Sequence, residues 1–116
     1  MSPGPFPRRG EVWLADLDPT RGHEQAGQRP VLVASVDPFN RSPLGLVIVV
    51  PLTTRYKGFP SHVPVTPPEG GLRAPSWVMC EALRSVSTER LVTRWGAVAE
   101  ATLGRVEICL RILLIL

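Results

Sequence analysis

Cysteine is scarce in this 116-residue chain: Cys80 and Cys109 are its only two. They lie far apart, with no CxxC spacing and no His-rich companion, which argues against a zinc site and gives no disulfide framework. Both are expected to be reduced core residues, and no metal or cofactor is implied. A long apolar run is missing too. The most apolar stretch, 108–116, is interrupted by Arg111 and falls far short of the roughly 20 residues that cross a bilayer; it must bury against protein. Residues 1–8 carry several prolines and no apolar h-region, so they read as a flexible leader and not as a secretory signal. With no targeting or membrane segment, a cytoplasmic location is expected. Lysine is nearly absent, since Lys57 is the one lysine among thirteen basic residues. Aromatics are few: three Trp, three Phe and one Tyr.

What is present bounds the answer to one domain, 9–116, with one modest core. A net charge of +3 and a pI near 9.5 permit a polyanionic partner without requiring one. The arginine excess suits phosphate and base recognition, because the guanidinium is a planar fork, although an arginine-rich genome produces the same bias.

The patterning is mainly β. Glu11 to Leu17 sets Val12 and Leu14 against Trp13 and Ala15, the period of a strand with two differently used faces. Val31 to Val36 and Leu46 to Leu52 are β-branched runs bounded or interrupted by Pro30, Pro38, Pro43 and Pro51, and the prolines are expected to set their ends. Between them, 37–45 is dense in turn formers, with room for a single helical turn. Pro67-Pro-Glu-Gly-Gly is expected to be an exposed hairpin end between strands near His62 to Val65 and Ser76 to Glu81. Another short strand, Arg94 to Val98, precedes a helix over Glu100 to Leu116. Its core stripe is Leu103, Val106, Leu110, Leu113 and Leu114, at i, i+3, i+7, i+10 and i+11. A second stripe, Ile108, Ile112 and Ile115, asks for a partner, either a longer tail or another subunit. Strands followed by a terminal helix give a small β-barrel with helical additions.

Two segments carry the functional signal. Residues 16–35 run from a strand end through a polar, glycine-punctuated loop containing Glu24, Gln25, Gln28 and Arg29 into a buried-looking strand, and 50–58 read Val-Pro-Leu-Thr-Thr-Arg-Tyr-Lys-Gly. In content, order and spacing they resemble the MazF/PemK family of toxin endoribonucleases, from about Arg9 to the C-terminus. A third segment, Val78-Met-Cys-Glu-Ala-Leu-Arg-Ser-Val, is similar to the family's later motif, with Ala82 in place of its glutamine. The resemblance implies an SH3-like β-barrel with a C-terminal α-helix, a fold shared with PemK and CcdB. It also implies a sequence-selective, metal-independent endoribonuclease that leaves a 2′,3′-cyclic phosphate and a 5′-hydroxyl, acting as the toxin of a type II toxin–antitoxin pair.

Cleavage of RNA through its own 2′-hydroxyl needs a proton acceptor, in-line geometry, charge or donors for the phosphorane oxygens, and a proton for the leaving oxygen. Arg29, beside Pro30 at a strand start, can hold phosphate oxygens bidentately; the alternative is an arginine that only pairs with Glu24. Thr53 can donate a hydroxyl without bringing charge, although a Thr-Thr pair at a strand end is also ordinary β-propensity. By resemblance Arg29 and Thr53 are the leading catalytic residues. Glu24 could order Arg29 or accept a proton, or be a merely solvated loop glutamate. Gln25, Gln28, Thr54, Lys57, Glu81, Arg84 and Ser85 are candidate RNA contacts. His23 and His62 suggest a rival paired-histidine mechanism, but nothing in their spacing brings them together. Some relatives have a histidine where Gln28 stands, which leaves the acid and base unassigned.

Single-stranded RNA recognition needs stacking surfaces, which arginines and Tyr56 or Phe59 would supply; Trp13, Trp77 and Trp95 read as core or dimer-interface residues. The expected partners are RNA, a second copy of the chain, and a cognate antitoxin with an acidic, disordered tail. Two opposing readings are a non-catalytic binding toxin on the same barrel, similar to CcdB-type gyrase poisons, and an SH3-like peptide-binding module. The sequence does not reveal the cleaved motif.

Overall fold

The structure, a computed structural model, describes residues 6–17 and 27–116. Its strands are β1 (Glu11–Asp16), β2 (Gln28–Val33), β3 (Leu46–Thr53), β4 (His62–Val65), β5 (Ser76–Met79), β6 (Arg84–Ser87) and β7 (Leu91–Ala97). A one-turn α1 (Asp37–Asn40) follows β2, and α2 (Glu100–Leu114) ends the chain. All the pairings are antiparallel, in the order β4-β5-β3-β2-β1-β7, with β6 also on β3. The sheet curls as the barrel expectation requires but has no β4–β7 ladder to close it.

Strand alternation explains the two cores. One face carries Val12, Leu32, Val50, Leu52 and Val78, and α2 covers it through Val106, with Leu103 and Leu110 at the margin. The other carries Trp13, Ala15, Val31, Val33, Val47 and Val49, capped by Val86 of β6. A strand buried on both faces loses the apolar/polar alternation that marks a half-exposed one, so β2 and β3 read as continuous apolar runs.

Four expectations are revised. First, β2 begins at Gln28 and ends at Val33, and Pro30 and Pro51 lie inside strands instead of ending them. Each occupies a position where a missing N–H is tolerated. Pro30 pairs with Leu14 of β1 one residue before the β2–β3 ladder begins at Val31. Pro51 falls in the gap on the edge of β3 between the β6 ladder, which ends at Val49, and the β5 ladder, which starts at Leu52.

Second, Pro67–Gly71 is not a free hairpin tip. Glu69–Gly71 forms a 3-10 turn with Gly70 buried, and Leu72 enters the core. This turn packs on β7 at the opposite edge of the sheet. A Cβ on Gly96 would sit 2.8 Å from the Gly70 carbonyl carbon, and one on Gly71 (φ +71°) would overlap the Trp95 carbonyl. Only glycines allow the approach, which brings the two sheet edges together without a ladder.

Third, Leu113 and Leu114 are exposed, together with Ile108, Ile112 and Ile115. The buried stripe of α2 is Thr102 and Val106, and Cys109 also packs at its margin. Ile108, Ile112 and Leu113 line a shallow groove beside Pro60, Ser61 and Val63 without being covered by it. Its N-cap, Ala99, has no capping side chain of its own, and Glu69 Oε2 accepts the Ala99 N–H at 2.9 Å. Fourth, β7 runs from Leu91 to Ala97, longer than the Arg94 to Val98 segment expected.

Candidate active site at the strand ends

Antiparallel register positions the two leading residues. β2 and β3 pair Val31 with Pro51, Leu32 with Val50 and Val33 with Val49. Continued for two more residues, this register sets Arg29 across from Thr53. On the other edge of β3, Thr53 pairs with Trp77, and Arg29 pairs with Ala15 of β1. A single row of the sheet therefore holds Ala15, Arg29, Thr53 and Trp77 on one face, at the end where β2 starts and β3 stops. Leu17 N–H donates to Gly27 O at 3.0 Å, so Leu17 and Gly27 meet at this same end.

The chemistry available there is a guanidinium, a hydroxyl and an aromatic surface. Arg29 is half-buried and Thr53 is buried. Thr53 Oγ1 accepts the Arg55 N–H at 3.1 Å; this orients the hydroxyl and keeps its proton for donation. Tyr56, mostly exposed, tilts against Trp77 with ring centroids 5.4 Å apart. Sequence reasoning assigned Trp77 to the core or a dimer interface; it is half-buried beside the candidate residues. The β-ladder that puts it there is a long-range feature with no local signal.

The remaining candidates divide by place. Glu24, Gln25 and His23 lie outside the described residues. Gln28 is exposed opposite Asp16, and Thr54 and Lys57 are exposed just beyond Thr53. Arg84 pairs with Val49 and Ser85 with Ile48, so Arg84 is four residues back along β3 from Thr53, about 14 Å at strand rise. The structure does not bring Arg84 or Ser85 to the Arg29–Thr53 row.

Glu81 is held by its neighbours: its carboxylate accepts from Ser61 Oγ at 2.6 Å and contacts His62 Nε2 at 2.7 Å. Burial pushes the Glu81 carboxyl up, but these hydrogen bonds outweigh it, and the net shift is downward. His62 is buried, with Phe59 edge-on at 5.3 Å. A histidine packed and bonded in this way is part of the scaffold.

Beside the same strand ends lies a cleft of about 550 Å3, lined among others by Pro30, Thr54, Ser76, Arg73, Arg94 and Trp95. The sequence reading missed Arg73 and Arg94 as site candidates. Arg94 Nε donates to Glu11 Oε2 at 2.6 Å. Glu11 also accepts from Trp13 Nε1 at 3.0 Å and from Arg8 N–H at 2.8 Å. Burial raises the Glu11 pKa, and these donors more than reverse it. Among the described residues no group of three or more acidic, histidine or cysteine side chains could hold a metal, and no helix is long and apolar enough to cross a membrane. Cys80 is buried, Cys109 is half-buried, and neither is in a disulfide.

The comparisons with known proteins bear on the family and the fold. Residues 8–114 match the family described as PemK-like, MazF-like toxin of type II toxin-antitoxin system. The chain is 39% identical over 110 residues to the endoribonuclease MazF9 of Mycobacterium tuberculosis, covering 90% of this chain and 93% of that one. It is 33% identical to the endoribonuclease EndoA of Bacillus subtilis, covering 94% and 95%. Among solved structures, MazF from Deinococcus radiodurans superposes with a TM-score of 0.84 at 29% identity, covering 96% of this chain and 98% of that one. A mycobacterial endoribonuclease in complex with its cognate antitoxin gives 0.79 at 27% identity, covering 95% and 96%. The chain belongs to the PemK-like, MazF-like toxin family of type II toxin–antitoxin systems.

Proposed function

We propose that this toxin is a sequence-selective, metal-independent endoribonuclease that cleaves single-stranded RNA, using the substrate's 2′-hydroxyl as nucleophile and leaving a 2′,3′-cyclic phosphate and a 5′-hydroxyl. The observation that carries this reading is the β2–β3 register, which, continued two residues beyond the Val31–Pro51 pair, aligns a guanidinium with a hydroxyl at the strand ends. The Arg29 fork neutralises charge on the phosphorane oxygens, and the Thr53 hydroxyl donates to one of them. A nucleophile supplied by the substrate needs no bound metal, only charge stabilisation and proton transfer. Glu24 is the first candidate for the proton acceptor, and Gln25, Gln28, Thr54 and Lys57 contact the strand around the cut. Glu81, Arg84 and Ser85 meet RNA further from the scissile phosphate.

The toxin acts in the cytoplasm as a homodimer. The apolar side chains left exposed on α2, among them Ile108, Ile112 and Ile115, are the surface that a second copy would cover. A cognate antitoxin inhibits through an acidic, disordered tail that folds over the arginine-bearing rim and excludes RNA.

The test is incubation of purified protein with single-stranded RNA in EDTA, followed by sequencing of the new 5′ ends. Cleavage at a recurrent motif with 5′-hydroxyl products is expected. Intact RNA from folded, antitoxin-free protein would support the non-catalytic binding-toxin reading instead.

A further inference from the structure

We infer that the cleft between β7 and the 69–73 turn is a second nucleotide-binding site, which takes a nucleotide of the same RNA strand flanking the one cut beside Arg29. The inference rests on the RNA-cleavage reading and adds a place where the strand continues.

Three observations carry it. The first is position. The cleft residues Pro30, Thr54 and Ser76 are the immediate chain neighbours of Arg29, Thr53 and Trp77. Successive strand residues face opposite sides of a sheet, so the cleft and the candidate catalytic row share one rim, and a strand crossing that rim reaches both. The second is charge. Among the described residues, none that lines the cleft is acidic. Glu11 balances Arg94 from beside it and fixes its guanidinium, so the excess positive charge comes from Arg73, which is exposed. The third is shape. About 550 Å3 suits a group of nucleotide size. Trp95, 38% exposed, offers an indole on which a base can stack, while Thr54 and Ser76 offer hydroxyls for its edge or ribose. An acidic peptide would also satisfy the charge, but a nucleotide brings a planar base for the indole and a phosphate for Arg73 in a single unit, and this favours RNA.

The glycine contact builds the cleft. Because Gly70 and Gly71 lie directly on Gly96 and the Trp95 backbone, the turn is fixed against β7, and Arg73 and Trp95 line the same cavity.

The experiment measures binding of two labelled single-stranded RNAs, a dinucleotide that spans only the cut and a strand of about 12 nucleotides, within the footprint of a small β domain. Binding is read by anisotropy against salt, for Arg29→Ala protein as the uncut background and for the same protein carrying Arg73→Ala or Trp95→Ala. Arg73→Ala should weaken binding of the longer RNA about 3- to 10-fold and flatten its salt slope by about 0.7, one phosphate contact on single-stranded RNA. Trp95→Ala should weaken it about 5-fold or more. Neither should alter binding of the shorter RNA, and Arg73→Ala in the active protein should leave cleavage of a short substrate unchanged. If the longer RNA binds the Arg73→Ala protein with unaltered affinity and slope, the inference is overturned, even if an acidic peptide loses affinity. If the background protein binds neither RNA and the wild type cleaves none, the proposed activity fails and the inference with it.

Discussion

The two sides of the strand-end rim differ in how they are made. On one side, Arg29, Thr53 and Trp77 come together through strand register alone. On the other, Arg73, Arg94 and Trp95 come together because a glycine-rich turn packs across onto β7, with Glu11 holding the nearest guanidinium. A register is set by turn geometry and core pattern along the whole ladder, so the first side should tolerate single substitutions structurally while losing function. The second side depends on a few close contacts and should be easier to disturb.

Substitution at the row should have the largest effect. Arg29→Ala empties no core volume and removes the charge directed at phosphate, so single-turnover cleavage should fall by about 10²- to 10³-fold or more with an unchanged circular dichroism spectrum. Thr53→Ala should cost less, about 10- to 100-fold, as the loss of one neutral donor. A Thr53→Ala effect larger than that of Arg29→Ala would reverse the assigned roles.

Glu11→Gln probes the other side. It keeps the shape and the Trp13 and Arg8 contacts while losing the charge opposite Arg94, and should destabilise the fold by about 2 kcal/mol, the scale of a hydrogen bond to a charged group. Urea denaturation measures it. The pH dependence has a definite sign. The folded pKa of Glu11 lies below 4.5, so the unfolded chain binds more protons as pH falls through this range, and the contribution is present above 4.5 and lost below it. Wild type and Glu11→Gln stabilities should therefore converge in acid. Glu81, also lowered, should show the same sign and persist in the Glu11→Gln protein.

The smallest expected effect belongs to the histidines. With His62 packed on Phe59 and bonded to Glu81, replacing both His23 and His62 by Gln should leave cleavage within about 3-fold of wild type, after correction for folded fraction, against the 10²- to 10⁴-fold typical of a lost general acid or base. A loss of that larger size would move the chemistry to the histidines.

How much of this could be read from the sequence follows the same division. β1, β3 and α2 were legible because apolar period and turn residues are local signals, whereas Arg29 and Thr53 were reached as candidates only by comparing two short motifs with a known family. The proline positions were misjudged because a proline's cost depends on which strand edge is paired, and only the register reveals the gaps opposite Pro30 and Pro51. Gly70 and Gly71 were taken for an exposed tip because the contact that joins them to Trp95 and Gly96 spans about 25 residues of sequence. The end of α2 was overcounted as core because helical period shows which residues share a face and not whether anything covers them.

The most direct test of the central claim is cleavage of single-stranded RNA in EDTA by wild-type and Arg29→Ala proteins of matched fold and oligomeric state. The account predicts 5′-hydroxyl products from the wild type and almost none from Arg29→Ala over the same interval. A folded Arg29→Ala protein that cleaves at the wild-type rate would contradict it and place the active site elsewhere.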